Sequence, residues 1–231
     1  MRISQYSSRD GAIVAINKPA GWTSFDVVNK IRRLTGIKKV GHAGTLDPFA
    51  TGVLLICLGP ATKKSSQLMD LPKEYLAEVA LGQETDTLDP EGKVITEKAV
   101  PELSEEAVNA VLPSFLGEIE QEIPSYSAAR VKGKRLYQLA RQGKEVPRLF
   151  KKVRIDAIEL VELDKQTLTL RVECGRGTYI RTLARDIARQ LGTVGYVRKL
   201  VRTRVGEYTL ETALTIEEFE RQLKRTTSTT L

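Results

Sequence analysis

Asp47 is the side chain on which a reaction could be built. It lies in the glycine- and threonine-rich stretch GHAGTLDPFATG, residues 41–52, with His42, the only histidine of the chain. A carboxylate can act as a nucleophile or as a general base. Pro48 biases Asp47 toward an extended backbone. Glycines in this stretch let the chain turn tightly and let a ligand come close. The apolar run VLLICLG follows at 53–59 and reads as a buried strand. A carboxylate on a loop abutting such a strand is held at the rim of a rigid core, where reactive groups are well placed.

The second chemical signal is charge. The 231-residue chain carries a formal net charge of +7. From Arg130 to Arg154 there are ten Lys or Arg and one acid, Glu145, so this segment holds +9 and leaves −2 for the rest. Charge gathered in one segment points to a polyanionic partner. Tyr126 and Tyr137 interleave with the cations, a composition suited to RNA: phosphates take the cations and unpaired bases stack on rings. The candidate contacts are Tyr126, Arg130, Lys132, Lys134 and Arg135, in an insertion spanning about 123–152.

Other chemistries find little support. Cys57, Cys174 and one distant histidine give no metal-ligand spacing, so no metal is expected. The acidic stretch at 85–92 lacks the full calcium-loop pattern, and its acids read as turn and capping residues. No dinucleotide fingerprint or P-loop is present, so no cofactor is expected. No apolar run approaches a membrane span, and the N-terminus lacks a signal-peptide pattern, so the protein reads as cytoplasmic.

The elements that must position these groups follow from periodicity. Residues 13–16 form a short strand stopped by Asn17-Lys18-Pro19. Thr23 and Asp26 make a capping box for a helix to about Leu34, with Phe25, Val28 and Ile31 inward and Gly36 at its end. Lys73 to Leu81 is a strand with Tyr75, Ala77, Val79 and Leu81 on one face. Ser104 starts a helix toward Phe115 that Pro113 must kink or end. Thr167 to Cys174 is a strand with Leu168, Leu170, Val172 and Cys174 inward. The next helix buries Ile180, Leu183, Ala184, Ile187 and Leu191 and closes at Gly192. Arg181, Arg185 and Arg189 share another face, which reads as solvated. Arg181 is the exception. A cation in a first helical turn opposes the helix dipole and implies a partner carboxylate. Thr215 and Glu218 cap a last helix, and the polar tail at about 225–231 is expected to be disordered.

Four motifs carry a resemblance to a known family. GHAGTLDPFATG resembles the catalytic loop of the bacterial tRNA pseudouridine synthase B family. NKPAGWTSFD at 17–26, KEY at 73–75 and GRGTYIR at 175–181 resemble three further motifs of that family, in its order. The segment from Tyr126 resembles its Tyr-Ser-Ala segment, with two departures. Pro124-Ser125 abuts Tyr126, where the family usually has Pro-Pro plus one residue, and Arg130 stands where a lysine is usual.

The resemblance implies an α+β fold: a mixed, largely antiparallel β-sheet core flanked by helices, the pseudouridine synthase fold, as one domain over 1–231. It implies isomerisation of uridine to pseudouridine at position 55, in the T loop of tRNA, by a redox-neutral reaction without a cofactor. Asp47 is then the catalytic carboxylate, as nucleophile or as base. Tyr75 stacks on the uracil and assists loss of the C5 proton, and Arg181 is the partner of Asp47. His42, Lys18, Thr45 and Tyr179 contact the RNA. The partner is the T-arm stem-loop, no membrane is involved, and a monomer is expected. Many members continue into a small extra RNA-binding domain, before which this chain ends. Three other readings remain: a guide-RNA-dependent relative within a ribonucleoprotein, a non-catalytic tRNA-binding or chaperone module, and, more distantly, an Asp-nucleophile phosphatase.

Overall fold

The computed structural model describes residues 11–131, 133–144 and 146–228. The chain divides into two compact units, Met1–Tyr75 with Val201–Leu231, and Leu76–Leu200.

The first unit is built around one strand. β1 (Ala12–Lys18) buries Val14, Ile16 and Lys18 by simple alternation. α1 (Ser24–Thr35) follows, then β2 (Val40–Ala43) and β3 (Thr51–Leu58). β1 runs antiparallel to β3, from Ala12 opposite Leu58 to Lys18 opposite Gly52. β2 pairs antiparallel with the other edge of β3, from Val40 opposite Leu58 to Ala43 opposite Leu55.

Every residue of β3 from Gly52 to Leu58 is buried. Leu54, Ile56 and Leu58 pack with Val27, Val28 and Ile31 of α1. Val53, Leu55 and Cys57 face the opposite way, against Ala61, Leu68 and Val205. A strand covered on both faces needs apolar side chains at consecutive positions, which explains the unbroken run.

α1 has the expected capping box: Asp26 N–H donates to Thr23 Oγ1 (3.1 Å) and Thr23 N–H to Asp26 Oδ2 (2.9 Å). Gly36 ends it in the left-handed region, φ 68°. One inward residue was misplaced. Phe25 is exposed, and Ser24 and Val27 face inward instead. The Ser24 hydroxyl exchanges hydrogen bonds with the Leu46 backbone, which turns the first helical turn to that side.

A 3₁₀ turn (Gly59–Lys64) and α2 (Ser65–Asp70) lead to β4 (Lys73–Leu81), which buries alternate residues from Lys73 to Leu81 as expected. In the second unit, β5 (Gln83–Thr85) and β6 (Val94–Glu97) make a hairpin around the acidic turn. α3 (Glu105–Val111) passes into a 3₁₀ turn (Leu112–Phe115) at Pro113. β7 (Gly117–Glu122) follows. The insertion holds the small hairpin β8 (Arg130–Val131) with β9 (Lys134–Arg135), then α4 (Leu136–Arg141). β10 (Phe150–Leu163) pairs antiparallel with β7 and with β11 (Thr167–Cys174). α5 (Ile180–Gln190) then buries Ile180, Leu183, Ala184 and Ile187.

β12 (Gly195–Val205) runs from the second unit into the first. The second unit's strand order is β12-β4-β11-β10-β7. In the first unit β12 meets β3 in parallel, with Val201 opposite Thr51 and Arg202 opposite Gly52. β13 (Tyr208–Thr209) folds back on β12, and α6 (Ile216–Ser228) carries the expected Thr215–Glu218 capping box. The expected disordered tail is helical to Ser228, and 229–231 lie outside the described residues. The sheet is mixed and largely antiparallel with flanking helices, as expected. Among the described residues no helix is long and apolar enough to cross a membrane.

Candidate active site

Asp47 lies half-buried on the loop between β2 and β3, with Leu46 and Ala50 buried beside it. Three sets of hydrogen bonds fix this loop. On one side Arg202, 1% exposed, donates Nε to the Val53 carbonyl (2.7 Å), Nη1 to Thr45 O (3.4 Å) and Nη2 to Gly44 O (3.3 Å). From α1, Ser24 Oγ accepts from Leu46 N–H (2.9 Å) and donates to Leu46 O (3.1 Å). From the end of β1, Lys18 Nζ donates to the carbonyls of Pro48 (3.1 Å), Trp22 (2.7 Å) and Pro19 (2.9 Å), and Gly21 N–H donates to Pro48 O (2.8 Å). A buried charge is tolerated only when its donors are satisfied. Here two buried cations are satisfied by main-chain carbonyls, and the loop is held as a consequence.

Lys18, expected to contact RNA, is 0% exposed, with its ammonium turned to the Pro48 carbonyl of the loop. Thr45 is exposed on the loop, as a contact residue would be. His42 stands on β2, not in the loop, and is half-buried with no well-formed hydrogen bond at Nδ1. Burial and the Arg202 guanidinium push its imidazole below the usual value, against a smaller pull from the Gly44 backbone. Gly52 is fixed by packing. Its φ is +106°, and a Cβ there would lie 2.2 Å from the Arg202 carbonyl oxygen. Tyr75 is almost buried near the start of β4, in phase with Ala77 and Val79. Burial pushes the Cys57 thiol up to about 11, which leaves it inert at neutral pH.

In the second unit Arg181 is 3% exposed in the first turn of α5. It has the carboxylate partner that its position implied, and Asp89 supplies one: Nη1 lies 3.0 Å from Asp89 Oδ2. Nη1 also donates to Thr87 O (2.6 Å) and Nη2 to Tyr126 O (2.9 Å). Asp89 does more than serve the acidic turn. Its Oδ1 does serve the turn, accepting from Thr87 Oγ1 (2.5 Å) and Glu91 N–H (3.0 Å), while Oδ2 holds the arginine. Leu88, next to it, has a φ of +61°, the one positive φ outside glycine among the described residues. Arg185 and Arg189 are also paired, not simply solvated. Arg185 Nη1 lies 3.0 Å from Glu122 Oε2, and Arg189 Nη2 2.8 Å from Glu84 Oε1.

Tyr179, half-buried, is locked through its backbone by the buried Gln121: Tyr179 N–H donates to Gln121 Oε1 (2.7 Å) and Gln121 Nε2 to Tyr179 O (3.0 Å). Tyr126 is half-buried, and Arg130 and Lys134 are exposed on the β8–β9 hairpin. Lys132 and the Arg135 side chain lie outside the described residues. The basic segment is less positive in space than in sequence. Arg148 meets Glu122 (2.7 Å) and Lys152 meets Glu118 (2.9 Å), because β10 pairs with the glutamate-rich β7; Arg154 meets Asp156 (2.6 Å). Among the described residues no group of three or more His, Cys, Asp or Glu is placed to hold a metal ion.

Sequence reasoning missed Arg202, Gln121 and Asp89 as positioning residues. Arg202 left a faint signal, lying two residues from the buried Leu200 on the same strand. Gln121 and Asp89 left none, each being one polar residue among several in its strand or turn.

Residues 32–180 match the model of the TruB family pseudouridylate synthase N-terminal domain, and residues 181–230 that of the tRNA pseudouridylate synthase B C-terminal domain. The chain belongs to the TruB pseudouridylate synthase family. The tRNA pseudouridine synthase B of Alkaliphilus oremlandii is 49% identical over 208 residues, covering 90% of this chain and 69% of that protein. The namesake from Parabacteroides distasonis is 45% identical over 216 residues, covering 91% and 92%. Among solved structures, a Cbf5-Nop10-Gar1 complex aligns with a TM-score of 0.70 at 29% identity, over 90% of this chain and 53% of that one. An H/ACA RNP bound to a substrate RNA containing 2′-deoxyuridine aligns at 0.67 and 27%, over 90% and 52%. This chain spans about half the length of those two solved chains.

Proposed function

We propose that the protein isomerises uridine to pseudouridine at position 55 in the T loop of tRNA, with Asp47 as the catalytic carboxylate. It is an isomerase that makes pseudouridine in tRNA, by membership of its family and by its relatives at 45–49% identity. The observation that carries the role of Asp47 is the fixed loop: its backbone is tied to Arg202, Ser24, Lys18 and Gly21. Preorganisation of this kind favours a reacting group held in one attack geometry.

The reaction breaks an N–C glycosidic bond and forms a C–C bond between C1′ and C5 of the same base. Asp47 attacks C1′ or takes a proton from C2′; both roles need a carboxylate held still. Tyr75 and Arg181 are the other catalytic residues of the proposal. The target base must leave its stack, at a cost of a few kcal/mol. Aromatic and basic residues of the insertion, Tyr126, Arg130 and Lys134 among them, offset that cost by holding the RNA.

The test is incubation of a uridine-labelled T-arm transcript with the purified protein, followed by nucleoside analysis. Wild type forms pseudouridine. Asp47→Asn forms none and binds tRNA within tenfold of wild type, about 1.4 kcal/mol. Substantial turnover by that variant would remove Asp47 from the chemistry. The structural likeness to a Cbf5-Nop10-Gar1 complex and to an H/ACA RNP favours a second reading, a subunit that needs a guide RNA and protein partners. Turnover of a lone T-arm stem-loop excludes it, and binding without product would indicate a non-catalytic module.

A further inference from the structure

Lys151 stands apart from the other cations on and just before β10. Arg148, Lys152 and Arg154 each meet an acid, Glu122, Glu118 and Asp156. Lys151 points elsewhere, its Nζ 4.2 Å from the centroid of the Tyr179 ring, and is half-buried. Gly177 closes over it. A Cβ at that position would lie 2.7 Å from Lys151 Nζ, and the φ of +83° already favours glycine. The neighbouring charge is Arg176, of the same sign. Burial first, and Arg176 second, push the ammonium below the usual lysine value.

A half-buried cation beside another cation is unfavourable unless something offsets it. The face of an aromatic ring offsets part of the cost. An anion beside Lys151 and Arg176 offsets more. Tyr179 was already a candidate RNA contact from the sequence, and the partner expected of this family member is RNA. We propose that Lys151 binds one backbone phosphate of the RNA substrate, with Gly177 leaving the space for its ammonium and Tyr179 bracing it. The proposal rests on the tRNA-isomerase reading above and adds a specific contact to it. The acid-paired cations Arg148, Lys152 and Arg154 are then the weaker phosphate ligands of this stretch, since each must first give up its carboxylate.

The experiment measures binding of a T-arm stem-loop across a range of salt concentrations by wild type, Lys151→Gln and Lys151→Arg. Lys151→Gln loses about tenfold in affinity at low salt, and its log–log salt slope becomes shallower by about 0.7–0.9. Lys151→Arg keeps the wild-type slope. Stem-loops carrying a single methylphosphonate then locate the phosphate: one linkage weakens wild type and has no further effect on Lys151→Gln. An unchanged slope in Lys151→Gln, or the absence of any such linkage, overturns the assignment while wild-type turnover leaves the isomerase reading standing. Failure of wild type to convert the T arm removes that reading and the proposal with it. Where Lys151→Gln does not fold, amine labelling of wild type read by mass spectrometry decides. Saturating T-arm RNA protects Lys151, and labelling unaffected by RNA overturns the proposal.

Discussion

Replacing Arg181 by Met separates structure from chemistry at one residue. The substitution keeps an aliphatic stem and deletes the charge. Asp89 is left behind in a site where its side chain is 6% exposed, without its 3.0 Å partner, and the carbonyls of Thr87 and Tyr126 each lose a donor. Breaking a buried ion pair from one side costs about 3–5 kcal/mol, since the buried carboxylate loses this cation. In a chain of this size each kcal/mol lowers Tm by about 2–4 °C, so the expected drop is roughly 6–20 °C. A second change, Asp89→Asn, removes the stranded charge. The Thr87 hydroxyl and Glu91 amide both bond Oδ1, an oxygen that asparagine keeps. The double variant therefore recovers about 2 kcal/mol, within the usual range of coupling between contacting residues. Thermal melts give stability, and single-turnover pseudouridine formation gives activity. The double variant is expected to regain stability and to remain inactive. A single variant melting within about 2 °C of wild type would refute the energetic argument. A double variant with restored activity would show that Arg181 serves only to neutralise Asp89.

Arg202→Met orphans the Val53 carbonyl and loosens Gly44 and Thr45, so it should slow single-turnover product formation about 100-fold through misplacement of Asp47. T-arm affinity changes little, and a wild-type rate would end the positioning role. Tyr75→Phe should bind tRNA normally and stall at loss of the C5 proton. Tyr75→Leu should also weaken binding by about 1–3 kcal/mol, with Tm measured alongside because the ring is nearly buried; full-rate release of a C5-tritium label by the Phe variant would leave the hydroxyl without a chemical part. His42 has a folded value below 6.5, so its unfolded form takes up a proton first. Its contribution to stability is then complete above about pH 6.5 and is lost as pH falls toward the folded value. The stability difference between wild type and His42→Gln should shift in that window, and a difference constant from about pH 7.5 to 5.5 would contradict the burial argument.

Much of the fold was legible because its signals are local. β3 announced itself by an apolar run that only burial on both faces requires, and β4 and β11 by strict alternation. Thr23–Asp26 and Thr215–Glu218 marked two helix starts through bonds spanning three residues. The supports of the Asp47 loop were hidden for a physical reason. Lys18 and Arg202 bond carbonyls, which every residue carries, and those of Arg202 are 149 to 158 residues away. No side-chain type marks such an acceptor. Asp89, 92 residues from Arg181, was one acid among several in a turn. The partial neutralisation of the basic segment depends on the register of β10 against β7, which composition does not contain.

The parallel contact of Thr51 and Gly52 with Val201 and Arg202 joins positions 150 residues apart. During synthesis at about 5–20 residues per second, the ribosome needs roughly 8–30 s to make the intervening chain. Throughout that interval β3 lacks part of one edge, and the Asp47 loop lacks its guanidinium anchor. A nascent or prematurely terminated chain can therefore contain Asp47, Tyr75 and Arg181 and still be unable to hold the carboxylate in place. It also presents an open strand edge to its neighbours on the same polysome, a template for mispairing. The cover of that strand edge and the guanidinium anchor of the loop arrive together, with the emergence of Arg202.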